Sequence, residues 1–321
     1  MTEAAGPFRC TAFGLTVDSD WPLTGTAQIA STPREDSRPA RPLTRVRRLP
    51  ASAINAAWSA NAEPILEHRE TTGEVSFTVE RSAEHYRFWV QGFGRYLVST
   101  DGGLVACEAG AAAREQHERF VLAHALPVAA VLRGYEVLHA GAVSGDGGAA
   151  AFAGPSGTGK TRMATRLVAR GAGFLTDDVL AVQPAGDHVL VHPGPAFMAI
   201  RHDDAAMLAE VGGRLGRQVG ATDKVHVSVD SRAEPSALRV IYHLRWGDTF
   251  EITPLDRADF NRILALSFVP YLTPPERLMR HLAIAQLVSS GVAQFHLQTP
   301  GAELTEDMLE ALESHLHGAG V

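Results

Sequence analysis

Residues Gly154-Pro155-Ser156-Gly157-Thr158-Gly159-Lys160-Thr161 constrain this chain more than any other stretch, because they fill every fixed position of G-x-x-x-x-G-K-[ST]. The flanks have the composition that the motif requires. Ala149-Ala150-Ala151-Phe152-Ala153, just before it, is an apolar run suited to a buried strand. Just after it, Arg162 to Arg170 carries apolar residues at 163, 164, 167 and 168, a helical spacing that Gly171 stops. Strand, loop and helix in that order turn backbone N–H groups and the positive end of a helix toward a polyphosphate. Gly154, Pro155, Ser156, Gly157, Thr158, Gly159, Lys160 and Thr161 are therefore the expected nucleotide contacts. Lys160 is expected to reach the β- and γ-phosphates, and the Thr161 hydroxyl to ligate Mg²⁺.

The lysines sharpen this reading. Lys and Arg together number 29, and only Lys160 and Lys224 are lysine, which leaves 27 arginines. Where a chain writes nearly every cation as Arg, a retained Lys marks a place for a compact ammonium on a flexible stem. Lys224 is accordingly a second expected phosphate or substrate contact. Arg201 and Arg245 are weaker cation candidates for a transferred phosphoryl group, with structural roles favoured. No Asn-Lys-x-Asp guanine-reading sequence occurs, which favours ATP over GTP.

At 321 residues the chain can bury one large core or two ordinary ones. Its 45% hydrophobic and 20% charged content is that of a globular protein, and a net charge of −7 argues against nucleic acid or an anionic membrane as partner. The basic stretch from Arg34 to Arg48 is interleaved with prolines and reads as a solvated surface loop. Cys10 and Cys107 make no disulfide framework. The first seven residues lack the regions of a signal peptide, and the longest apolar stretch, Phe120 to Leu132, is broken by His124 and Pro127. A cytoplasmic protein is expected.

The halves differ in pattern. Residues 1–112 are expected to form a small β-rich domain, with strands at Phe8 to Val17, Glu74 to Val79, Tyr86 to Gln91, Tyr96 to Thr100 and Leu104 to Cys107. Pro- and Ala-rich material between residues 32 and 63 reads as partly mobile. Residues 113–321 form the second expected domain, beginning with a linking helix over 113–133 that Pro127 kinks or splits. Beyond it the pattern predicts strands at Val137 to Val143 and Ala149 to Ala153 around a hairpin-type turn. Further strands are expected at Gly173 to Val182, Val189 to His192, Arg239 to Leu244 and Phe250 to Thr253. Helices are expected at Asp203 to Val211, Asp256 to Leu266, Pro275 to Ser289 and Thr305 to His315. The expected fold class is α/β.

Asp177-Asp178 lies 17 residues past Lys160, within an otherwise apolar strand. Phosphate-loop enzymes place an acidic residue at the end of such a strand to hold Mg²⁺. Successive strand side chains point to opposite sides, so the two aspartates are expected to divide their roles. One approaches the metal, directly or through water, and the other faces an acceptor hydroxyl as general base. The expected metal pair is Thr161 with Asp178, although the residues alone leave open which aspartate takes which part. His139, on the strand leading into the hairpin, is a catalytic candidate beside Asp177, Asp178 and Lys160. His192 is a weaker one.

The loop, Leu138-His139, and Gly173-Phe174-Leu175-Thr176-Asp177-Asp178-Val179 together resemble the HPr kinase/phosphorylase superfamily in order and spacing. The resemblance is strong over residues 136–182 and weak over the remaining C-terminal part. The β-rich front half looks like that of HPr kinase-like proteins encoded beside peptide-modification and other biosynthetic genes. The resemblance implies a phosphoryl-transfer core of the type shared with phosphoenolpyruvate carboxykinase, with the loop on a mixed sheet. It also implies an ATP- and Mg²⁺-dependent phosphotransferase acting on a hydroxyl of a peptide or small molecule, and leans toward a homo-oligomer. The chain departs from the family pattern after the aspartates. The glycine-rich R-G-x-G signature loop with its metal-associated glutamate is replaced by His192-Pro193-Gly194-Pro195-Ala196-Phe197-Met198-Ala199-Ile200-Arg201. The expected acceptor is therefore something other than HPr. A nucleotide-gated binding module and a P-loop ATPase that uses water stand as alternatives.

Overall fold

The structure is a computed structural model that describes residues 8–28, 41–110, 113–210, 213–218, 224–231, 234–255, 261–301 and 303–321. Arg34, Arg38, Ala111, Val211, the Ala221-Thr222-Asp223 approach to Lys224 and residues 256–260 of an expected helix lie outside the described residues. The chain divides into two compact units. One comprises residues up to Tyr135 together with Val269–Thr273, and the other Glu136–Phe268 with Pro274–Val321.

The first unit is built on a nine-stranded sheet. Its strands are β1 (Phe8–Ala12), β2 (Leu15–Ser19), β3 (Ala27–Gln28), β4 (Leu43–Leu49), β5 (Glu63–Arg69), β6 (Val75–Arg81), β7 (His85–Val90), β8 (Gly94–Ser99) and β9 (Leu104–Glu108). Their order is β3-β1-β2-β4-β9-β8-β7-β6-β5, with β4 parallel to both neighbours and every other pair antiparallel. The expected single strand from Phe8 to Val17 is a hairpin instead, because Phe13 and Gly14 take φ values of 55° and 82°. A Cβ on Gly14 would lie 2.5 Å from the Tyr135 ring, whose hydroxyl donates to the Gly14 carbonyl. Only glycine fits there.

The segment expected to be partly mobile holds β4, helix α1 (Ala51–Ser59) and the start of β5. Ile54 of α1 is fully buried against Leu97 and Ala106. The expected linking helix is present and is split, though just upstream of Pro127. Helices α2 (Arg114–Phe120) and α3 (Leu126–Leu132) are joined by a π-helical turn over Val121–Ala125, with Pro127 in the first turn of α3. The wider turn just upstream accommodates a residue that cannot donate to the preceding turn. His124 in this turn shares a 2.7 Å hydrogen bond with the Tyr271 hydroxyl, within the same unit.

The second unit is α/β. Its strands are β10 (Glu136–Leu138), β11 (Ala140–Ser144), β12 (Ala149–Ala153), β13 (Gly173–Thr176), β14 (Leu180–Ala185), β15 (His188–His192), β16 (Phe197–Arg201), β17 (Arg214–Gln218), β18 (Lys224–Ser228), β19 (Ser236–Trp246), β20 (Glu251–Pro254) and β21 (Ala293–Thr299). Its helices are α4 (Lys160–Ala169), α5 (His202–Glu210), α6 (Asn261–Leu264), α7 (Pro275–Gly291) and α8 (Glu306–Gly318). The main sheet runs β10-β14-β15-β19-β12-β11-β13, with β21 also beside β19 and β20 beyond it. Strand β19 lies parallel to β12 and β21, and the other pairings are antiparallel, so the sheet is mixed. A small separate sheet is ordered β16-β18-β17.

Strand β12 is apolar throughout because both faces of the sheet are covered. Ala150 and Phe152 pack with Met163 and Leu167 of α4 and Leu309, Leu312 and Leu316 of α8. Ala149, Ala151 and Ala153 pack on the opposite face with Ile263 of α6 and Ile284, Ala285 and Val288 of α7. Helix α8 starts where Thr305 accepts a hydrogen bond from the Met308 N–H. No helix among the described residues is long and apolar enough to cross a membrane.

Candidate functional site

The loop between β12 and α4 is held by its glycines. Gly154 (φ 152°), Gly157 (87°) and Gly159 (96°) have positive φ, and Gly159 is the N-cap of α4. A Cβ on Gly154 would stand 2.9 Å from the Leu244 carbonyl and 3.0 Å from the Thr158 hydroxyl, so a side chain there would force the loop off β19. Thr158 braces the loop internally, its hydroxyl donating to the Pro155 carbonyl at 2.8 Å. Lys160 is buried and folds back over the loop, donating to the carbonyls of Gly154 (2.9 Å) and Pro155 (3.3 Å). Burial pushes its ammonium pKa down, and the neighbouring carboxylates of Asp178 and Asp177 oppose that shift.

The aspartates do not continue a strand. They form a turn between β13 and β14, where Asp178 adopts φ 66° and the Val179 N–H closes back onto the Asp177 carbonyl at 2.8 Å. A left-handed Asp is unusual and sends the two side chains apart by a route other than strand alternation. Asp177 Oδ1 accepts from the Thr161 hydroxyl at 2.8 Å, and its Oδ2 accepts from the Ala199 N–H at 3.3 Å. Asp178 faces outward, its Oδ1 lying 3.2 Å from His139 Nε2 and 3.9 Å from Lys160 Nζ.

His139 reaches Asp178 because the expected strand from Val137 to Val143 is broken at this residue. Before it, β10 pairs with β14; after it, β11 pairs with β12 and β13. The His139 N–H donates to the Leu266 carbonyl, and its ring meets Phe268 edge to face. Main chain and ring are both fixed where the strand changes partners.

Charge separates the two carboxyls. Burial, and then the Asp178 charge, raise Asp177 to about 6, with Thr161, the Ala199 N–H and Lys224 pulling the other way. Asp178 is held below the usual carboxylate range, chiefly by its hydrogen bond to His139. Both aspartates, His139 and the loop thus share one region, around an open cleft of about 240 Å³. Lys160, Thr161, Asp178 and Lys224 line the cleft.

Residues outside the motif also line it. Arg201 stands opposite Lys224 in the antiparallel β16–β18 pair, so the small sheet delivers two cations. Arg162 is anchored at 3.1 Å by Asp204, a nearly buried carboxylate of α5. Trp246, at the end of β19, is 45% exposed in the same cleft. Neither Asp204 nor Trp246 belongs to a motif, and strand register alone puts Trp246 beside the loop. Arg245 and His192 do not line the cleft; His192 bonds Gln183 across the β14–β15 hairpin at 3.1 Å.

The oxygen donors at Thr161, Asp177 and Asp178 suit a hard cation such as Mg²⁺. No cluster of three or more His, Cys, Asp or Glu able to hold a metal occurs among the described residues. That donor set matches Mg²⁺, which is usually bound through one or two carboxylates and completed by substrate phosphates and water.

No family model matches the chain. It is 29% identical over 161 residues to an HPr kinase/phosphorylase from an Exiguobacterium species, a match that covers 50% of this chain and 47% of that relative. The chain thus spans about half the length of the curated relative it matches. Among solved structures, the HPr(Ser) kinase/phosphatase from Coxiella burnetii superposes with a TM-score of 0.29 at 10% identity, covering 57% of this chain and 95% of that one. Over half its length, then, this chain is similar to an HPr kinase/phosphorylase, and the resemblance to that superfamily carried by the loop, His139 and the aspartate pair stands.

Proposed function

We propose that this chain is an ATP-dependent kinase that moves the γ-phosphoryl group onto a hydroxyl of a peptide or protein serine, or of a small molecule. The observation that carries this reading is the divergence of the paired aspartates. Asp177 turns inward onto Thr161, and Asp178 turns into the cleft between His139 and Lys160. In this reading, the cradle of N–H groups and Lys160 hold the phosphates, and the neutral carbonyls now bonded to Lys160 give way to charged phosphate oxygens. Mg²⁺, when bound with the nucleotide, neutralises charge on the phosphates. In this reading Thr161 and Asp177 would hold it, in place of the expected pair of Thr161 and Asp178, because Asp177 meets the Thr161 hydroxyl while Asp178 turns to His139 on the acceptor side.

The transfer balances simply. A bond forms between the acceptor oxygen and the γ-phosphorus, the bond from that phosphorus to the β–γ bridging oxygen breaks, and ADP leaves. The hydroxyl proton passes to the Asp178 carboxylate, which His139 keeps ionised and oriented. Lys160, Lys224 and Arg201 face the charge that spreads over the transferred oxygens. The missing glycine-rich signature loop supports an acceptor other than HPr. The name of the Exiguobacterium relative supports kinase chemistry in general.

Incubation with Mg·ATP and panels of peptides, amino acids, sugars and nucleosides tests this, with ADP and label transfer followed together. ADP formation that depends on acceptor identity is the expected result. Acceptor-independent ADP points to an ATPase, and binding without turnover to a nucleotide-gated module. Asp178→Asn is expected to lower turnover about 10²- to 10⁴-fold while Mg·ATP still binds, whereas Asp177→Asn weakens Mg·ATP binding itself. Equal effects of the two substitutions on affinity and rate would refute the division of roles.

Asp177 also predicts a pH signature. Its pKa in the folded chain is about 6, against about 3.9 for an unperturbed Asp. The folded state therefore holds the proton more tightly, and stability falls as pH climbs through that interval. Asp177→Asn is expected to raise the thermal midpoint by about 2–4 °C at pH 8 and to give no gain at pH 4. A gain of the same size at both pH values would show that ionisation is not its cause. Mg·ATP affinity of the unaltered protein should rise as pH passes upward through 6.

A further inference from the structure

Resting on the nucleotide-binding reading above, we propose that Trp246 is the platform on which the nucleobase stacks. Strand β19 lies parallel to β12 with Ala153 opposite His243, so the residues after His243 run alongside the loop that follows Ala153. The loop is pressed closely onto this strand at the Leu244 carbonyl. Val240, Tyr242 and Leu244 alternate onto the face of the sheet that α4 covers, and all three belong to that core. Trp246 is the next residue in the same row.

Helix α4 begins at Lys160, so its cover stops before that row does. The indole is left at the helix entry, with Cη2 4.0 Å from where a Cβ on Gly159 would be. Trp246 is thus a core-facing position without a core over it. Among the described residues, the other strongly exposed large apolar side chains of this unit, Leu278, Met279 and Leu282, all lie on α7, and Trp246 alone of these lines the cleft.

Apart from Ile200, which is almost wholly buried, the remaining cleft lining is charged, polar or small, with Lys160, Thr161, Asp178, Arg201 and Lys224 among it. A triphosphate seated on the loop satisfies Lys160, Thr161, Arg201 and Lys224 and leaves a flat apolar face at one edge. A ligand that carries both an anionic chain and a planar ring matches both parts, and a purine nucleotide is such a ligand. Because every base has a π-face, stacking accepts adenine and guanine alike. ATP and GTP are therefore expected to bind with similar affinity, which removes the preference drawn from the missing guanine-reading motif.

Calorimetric titration of the unaltered protein, Trp246→Ala and Trp246→Phe with Mg·ATP, Mg·GTP and inorganic tripolyphosphate tests the assignment. Trp246→Ala is expected to weaken both nucleotides about tenfold and to leave tripolyphosphate affinity unchanged, with Trp246→Phe restoring most of the loss. Indole emission should be quenched by Mg·ATP and not by tripolyphosphate, and that quenching should vanish in Trp246→Phe while Trp21, Trp58 and Trp89 still emit. Unchanged nucleotide affinity in Trp246→Ala overturns the proposal. A parallel loss for tripolyphosphate also overturns it, because the ring would then merely prop the loop. If the unaltered protein binds tripolyphosphate as tightly as ATP, the stacking proposal fails and the phosphate-loop reading survives. If it binds neither, both fail.

Discussion

Lys160→Ala is expected to reduce nucleotide turnover by about 10³-fold or more, the scale on which a positioned cation or donor acts on a charge-developing transition state. The side chain is only 5% exposed, and its ammonium sits over the loop carbonyls within 3.9 Å of Asp178. Alanine removes the cation set inside the cradle. Arg162 on the same helix is turned to Asp204, and Arg201 and Lys224 reach the cleft from the small sheet, so none of them replaces it. Lys160→Arg is expected to fail almost as badly, because a planar fork does not pack where a single ammonium meets two carbonyls. Steady-state ADP release with thermal melts of each variant provides the measurement. Turnover of Lys160→Ala within tenfold of the unaltered protein, with the fold intact, would remove this lysine from the chemistry.

The largest effect on stability is expected from Arg277→Met. Glu136 is fully buried and Arg277 is 3% exposed. The guanidinium of Arg277 grips both carboxylate oxygens, at 2.5 and 3.2 Å, and bonds the Ser267 hydroxyl at 2.7 Å. These contacts fasten α7 to β10 and to the segment before Val269. Removing one partner from a buried pair leaves an uncompensated charge and typically costs about 3–5 kcal/mol. Arg280 also feels the Glu136 charge, so a loss near the lower end is expected. Glu136→Leu combined with Arg277→Met should recover most of the loss, since an apolar pair carries no stranded charge. Urea denaturation of the three variants measures this. A single-variant loss below about 1 kcal/mol would show that this pair does not hold α7 to β10.

Much of the candidate site can be read along the sequence because its core is local. The loop runs continuously from Gly154 to Thr161, and its glycines occupy positions where positive φ is needed. The aspartates follow at a fixed distance along a strand–helix–strand unit. Their divergence was expected from strand alternation, yet it comes from a left-handed residue in a turn, a backbone detail that Asp-Asp does not announce. His139 was legible as a residue near the loop, but its partner depends on a strand that changes neighbours in mid-course. Trp246 and Asp204 are not legible at all, because register between distant strands and helix packing put them there. In the first unit, apolar alternation in β6 to β9 was visible. Helix α1 was not, its alanines reading as linker until Ile54 is seen buried beneath the sheet. Pro127 signals a kink or a split, and the helix is split by a wider turn just before it.

The chain passes from the first unit to the second at Tyr135, returns for the five residues Val269–Thr273, and leaves again. Dissection by a single cut is therefore ruled out by connectivity. A fragment ending at Tyr135 loses the Tyr271 hydroxyl bonded to His124 at the π turn, and a fragment starting at Glu136 carries a five-residue excursion without the unit it belongs to. Two separate genes could not encode these units as they stand. A fair dissection would excise Val269–Thr273 from one fragment and graft it onto the other, and homologous exchange of either unit would have to exchange both pieces together.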